Sequence, residues 1–133
     1  MSEPPVLIDG VQVLRFCNFS PDTRPTGRRT IFAGDEKIDL AKVRALVVGE
    51  NLSNGDLVLL HCTSDWRALA CFGFENIDAA EESASAAYIG APFPWKQYRT
   101  LTQTEMAEVE STRAVLKAWS ADYERKRLKD DND

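Results

Sequence analysis

The sequence is poor in the residues from which most recognisable chemistry is built. Among 133 residues it has one histidine, His61, and three cysteines, Cys17, Cys62 and Cys71. Structural zinc wants four nitrogen or sulfur ligands, and no C-x-x-C pair occurs, so neither a metal nor another cofactor is expected. An odd, sparse cysteine count argues against a disulfide framework and for reduced, buried thiols. The chain contains no G-x-S-x-G, P-loop, G-x-G-x-x-G, H-E-x-x-H or EF-hand loop. Its carboxylates are scattered, with no pair fixed by spacing for acid–base work. No catalytic residue is assigned, and the balance leans away from an enzyme.

Long apolar runs are also missing. Nothing approaches the ~20 apolar residues that a spanning helix needs. The opening MSEPPVLIDG has neither a basic nor a continuous apolar stretch, so a cytoplasmic protein without membrane attachment is expected. On that expectation the N-x-S triplets at Asn18 and Asn51 carry no glycosylation meaning. Positive charge is in deficit, with 16 Lys and Arg against 21 Asp and Glu and a net charge of −5. That disfavours sequence-independent nucleic-acid binding, whose affinity comes from neutralising phosphates. It suits a protein partner of opposite charge.

What is present is the composition of an ordinary globular domain, 44% hydrophobic and 28% charged. A single domain over residues 1–133 is expected, with tails at 1–5 and about 126–133. Val11 to Phe19 reads as a first strand. Ser20 to Arg29, with two prolines and a glycine, reads as a loop, and Thr30 to Ala33 as a short second strand. Asp39 to Glu50 is ambiguous: Leu40, Val43, Leu46 and Val47 fit a helical stripe behind an Asp39 cap, while Val43, Ala45 and Val47 fit strand alternation. The helix is the reading adopted, because Asp, Ala, Lys, Arg and Leu open the segment.

Leu57–Cys62 and Trp66–Phe74 are apolar runs of strand length around a short Thr63-Ser64-Asp65 turn, which predicts a hairpin covered on both faces. A symmetric turn would set Cys62 opposite Arg67 and Cys71 opposite Val58. Asn76 or Asp78 opens an alanine-rich helix to about Tyr88, closed by Gly90. Thr102-Gln103-Thr104-Glu105 is a capping box, followed by a helix to about Leu128 whose face is Met106, Val109, Leu116, Trp119 and Tyr123. That face is expected to cover the sheet first and to self-associate second. The expected architecture is α+β: a mainly antiparallel sheet of about four strands (11–19, 30–33, 57–62, 66–74) with helices near 39–50, 77–88 and 103–128.

Each rare residue has a chemical and a packing explanation. A thiol nucleophile, Cys62 or Cys71, would need His61 as its base. Successive strand residues leave opposite faces, so His61 cannot serve Cys62, and buried structural cysteines are expected. Arg24, Arg28 and Arg29 could fork onto phosphate or carboxylate groups of a partner. Phe93 and Trp95, stiffened by Pro92 and Pro94, could be hot-spot aromatics, although folding back over the core is the favoured reading. The sequence therefore points to a small acidic protein-binding module, with Arg24, Arg28, Arg29, Phe93 and Trp95 as contact residues. A toxin-neutralising immunity or inhibitor protein is one concrete form, and a homodimer through the C-terminal helix is an option. The alternatives are a small enzyme or ligand-binding domain with a pocket lined by His61, Trp66, Cys71 and Trp119, and a nucleic-acid factor using the Arg24–Arg29 loop.

Overall fold

The structure is a computed structural model and describes residues 3–89 and 95–131. In chain order it has β1 (Leu7–Ile8), β2 (Val11–Asn18), β3 (Arg24–Pro25), β4 (Phe32–Ala33), β5 (Glu36–Lys37), β6 (Ala45–Asn51), β7 (Leu57–Cys62), β8 (Ala68–Phe74), α1 (Ile77–Ala87), β9 (Tyr88–Ile89), β10 (Lys96–Gln97) and α2 (Gln103–Asp131). The expected α+β class holds, but the main sheet is larger than four strands. Its order is β1-β2-β6-β7-β8, with β10 also on β2, and every pairing is antiparallel.

The extra central strand comes from the ambiguous segment. Residues 39–50 are not a helix: Asp39 caps only a 3-10 turn over Leu40–Lys42, and the chain then runs as β6 between β2 and β7. Ala45, Leu46, Val47 and Val48 are all fully buried, so both faces of this strand are core. A helix would have buried one stripe only, whereas valines pack well on a pleat covered from both sides. Gly49 marks the closest approach of β6 to β2, since a Cβ there would collide with the Gln12 carbonyl.

The proposed strand at 30–33 does not join this sheet. Phe32–Ala33 pairs with Glu36–Lys37 in a separate ribbon that turns at Gly34, whose φ is 64°. The 57–74 hairpin forms, but its register differs from a symmetric turn. Cys62 lies opposite Ala68, Leu60 opposite Cys71 and Val58 opposite Gly73, with an irregularity between His61 and Cys62. Trp66 takes a left-handed conformation (φ 66°) in the turn, so the second strand starts at Ala68.

Strand alternation sorts the core. Val11, Val13, Phe16, Val47, Val58, Leu60, Cys62 and Trp66 form one cluster. Cys17, Leu46, Val48 and Leu59 form a second, covered by Ala80, Ala84 and Ala87 of α1 and by Tyr88. Alanines let α1 lie close to the sheet, and Asn76 caps it by accepting the Ala79 N–H at 2.8 Å. A third, smaller cluster of Val6, Leu52 and Val109 fastens the start of α2. The capping box forms as expected: Thr102 Oγ1 accepts the Glu105 N–H, and Glu105 Oε1 accepts the Thr102 N–H at 2.9 Å. No described helix is long and apolar enough to cross a membrane.

Candidate functional site

The sequence-derived contact residues that are described differ in exposure. Arg24, Arg28 and Arg29 are exposed, Trp95 is half-buried against the second core cluster, and Phe93 lies outside the described residues. The closing Gly90 also lies outside them. The arginine loop is tied down from two directions. Thr26 bonds to the end of α1 through its N–H to the Ala87 carbonyl and its hydroxyl to the Ala86 carbonyl, both at 2.9 Å. Ile38 donates back to the Ile31 carbonyl at 2.8 Å. Residues 26–38 thus form a strap beside α1 and β8.

The cysteines do not assemble a nucleophilic centre. Cys17 and Cys62 are buried as expected, and burial pushes both thiols up to about 12, against backbone hydrogen bonding from Leu46 in the case of Cys17. Cys71 is exposed, contrary to expectation: it lies opposite Leu60 on β8, the edge strand of the sheet. Desolvation and then Asp9 push its thiol up as well. Among the described residues no group of three His, Cys, Asp or Glu is placed to hold a metal ion.

The expected pocket of His61, Trp66, Cys71 and Trp119 is not formed. Trp66 belongs to the first core cluster, on the opposite face from His61, and Trp119 is 75% exposed on α2. A different cleft holds the histidine. His61 is 2% exposed and lies between Leu46 of β6 and Ala70 of β8. Its Nδ1 is 2.7 Å from the Tyr88 hydroxyl, and its ring stands edge-on to Phe72 at 5.9 Å. Tyr88 is itself fixed, at the end of α1 and against the Phe19 ring at 4.8 Å. Asp65, the carboxylate nearest in sequence, instead accepts from the Thr63 hydroxyl. Burial alone lowers the His61 pKa to about 4, and desolvation is the leading cause of the raised Tyr88 pKa. At neutral pH this is an uncharged, hydrogen-bonded pair. Above it opens a cleft of about 430 Å³, walled by Arg29, Thr30, Ile31 and Phe32 of the strap, Phe72 to Phe74 of β8, and Ser83 and Ala87 of α1.

The second distinctive surface is α2. Its expected apolar face is covered for only part of its length. Val109 is 3% exposed and Leu116 is half-buried, but Met106, Trp119 and Tyr123 are 49%, 75% and 67% exposed. The expectation that the whole face covers the sheet is corrected here, because Met106 in the first turn and Trp119 and Tyr123 beyond Leu116 are left exposed. At 1.5 Å per residue, its 29 residues span roughly 43 Å. Arg113, which interrupts the stripe, pairs with Glu50 of β6 and fastens the docked half. Where α2 leaves the body, Ser53 of the β6–β7 turn, Leu116, Trp119, Ser120 and Tyr123 line a recess of about 500 Å³.

No protein-family model matches the chain, and no curated protein or solved structure does so either.

Proposed function

We propose that this chain is a cytoplasmic protein-binding module that engages another protein through the distal half of α2. The observation that carries this reading is the continuation of one stripe, Val109, Leu116, Trp119 and Tyr123, from a buried beginning to an exposed end. Trp and Tyr are the side chains that most often dominate binding energy. Presented at helical spacing beside a recess, they suit the mode in which an amphipathic helix lies in a partner's groove.

Charge narrows the partner's chemistry. Residues 117–127 carry Lys117, Arg125, Lys126 and Arg127 against Asp122 and Glu124, in a chain whose net charge is −5. Arg125 and Arg127 pair with Asp122 and Glu124 on the helix itself, and the two lysines flanking the aromatics make no ion pair among the described residues. An apolar groove with an acidic rim is the complementary surface. The free thiols Cys17, Cys62 and Cys71 suit a reducing compartment.

A photo-crosslinking amino acid at Val115, 61% exposed beside the stripe, tests this in the native host. The expected result is one discrete adduct that disappears when Trp119 is replaced by alanine. An adduct containing only a second copy of this chain would replace the foreign partner with self-association. A ladder of adducts unaffected by Trp119→Ala would end the proposal.

A further inference from the structure

The cleft over His61 is built from parts that solvent exposure alone does not explain. A histidine 2% exposed is costly to bury unless its polar atoms are used, yet it lines an open recess. Only one of its ring nitrogens has a partner among the described residues, the Tyr88 hydroxyl at Nδ1. That hydroxyl likewise has no other partner among them. A phenol has one proton to give, so the pairing that satisfies it is Tyr88 O–H donating to Nδ1. The neutral ring then carries its proton on Nε2, as a donor with no acceptor among the described residues.

The walls add the rest of a recognition pattern. Phe72 and Phe74 on the sheet and Phe32 on the strap supply apolar surface, and Phe32 is 50% exposed. Arg29 is exposed, lines the cleft and makes no ion pair among the described residues. A volume of about 430 Å³ lies in the range of small-molecule sites. One cation, one N–H donor and aromatic walls are complementary to a planar apolar body carrying an anion at one end and an acceptor oxygen at the other.

We propose that this cleft binds a small aromatic carboxylate bearing a second oxygen acceptor. Its carboxylate meets Arg29, its ring lies against Phe72 and Phe32, and the second oxygen accepts from His61 Nε2–H. This site is separate from the α2 surface and stands or falls independently of it.

Because His61 is the only histidine in the chain, its imidazole resonances report on the floor of the cleft without overlap. The test is an NMR titration of the ¹⁵N-labelled full chain with 4-hydroxyphenylacetate, beside phenylacetate and the uncharged 4-hydroxyphenylacetamide. Expected are saturable shifts of the His61 ring signals and of the backbone amides at 29–32 and 72–74. The amide analogue should bind about tenfold more weakly, and Arg29→Ala should weaken the carboxylate by a similar factor without affecting the amide. Phenylacetate should leave the Nε2 signal nearly unmoved. Ser83→Trp, on the cleft-facing side of α1, should abolish the shifts, and Arg29→Ala decides the question should that variant fail to fold. The proposal is overturned if the His61 signals do not saturate, if acid and amide bind equally, or if the shifts map outside the cleft.

Discussion

The two halves of α2 are made from the same kinds of residue and meet opposite fates. From Gln103 to Leu116 the helix is capped by Thr102 and Glu105, plugged into the core by Val109 and tied to β6 by the Arg113–Glu50 pair. Beyond Leu116 it keeps its apolar stripe, but Ser53 is the only described residue outside the helix in the recess there, and Trp119 and Tyr123 are largely exposed. A hydrophobic stripe therefore does not by itself say how much of a helix the chain's own body covers. The His61 cleft makes the same point from the inside. There a histidine is buried with one ring nitrogen paired to Tyr88 while its side chain lines an open cleft.

The contrast between buried and presented groups can be broken most forcefully at His61. Its folded pKa, about 4, lies below its ordinary value of 6.5. Between those values the unfolded chain takes up a proton that the folded chain refuses, so stability falls as pH drops from about 6.5 towards 4. The loss is on the order of 3 kcal/mol. Denaturant titrations across that interval should show the slope in the native chain and lack this component in His61→Phe/Tyr88→Phe. An identical slope in both proteins would mean that His61 is not buried in its neutral form.

Next in size is the docked half of the helix. Val109→Ala should cost about 2 kcal/mol by opening space beside Leu52 and Val6. Equilibrium unfolding would read it as a lower midpoint at unchanged denaturant dependence. Tyr88→Phe strands the His61 Nδ1 in the core and should cost about 1–3 kcal/mol, more than the double replacement His61→Phe/Tyr88→Phe if apolar packing is kept. Smallest is the presented half. Trp119→Ala should change stability by no more than about 0.5 kcal/mol, because a 75% exposed ring has little folded contact to lose. A fall as large as that of Val109→Ala would show that Trp119 is covered within the chain.

The sequence made the local features legible and lost the long-range ones. The capping box, the β7–β8 hairpin and the alanine helix all depend on neighbours within a few residues, and all three form. Residues 39–50 misled because their first turn does have helical chemistry, and Asp39 does cap it. What overrides it is pairing with β2 and β7 on both sides, which no local pattern records. The hairpin register turned on Trp66 adopting a positive φ, a conformation that its residue type does not advertise. The His61 cleft was harder still, since Tyr88 lies 27 residues away and the strap arrives from before β6. Parity did place His61 on the opposite face from Cys62. It could not supply the tyrosine or the arginine.

Amide hydrogen exchange along α2 in the purified protein tests the division of the helix most directly. A helical segment of about a dozen residues without tertiary support is marginal in water. Amides from 106 to 116 should therefore exchange only through global unfolding, and those from 118 to 127 through local opening, orders of magnitude faster. Uniform slow exchange to residue 127 would contradict the account, because the distal half would then be held in place without a partner protein.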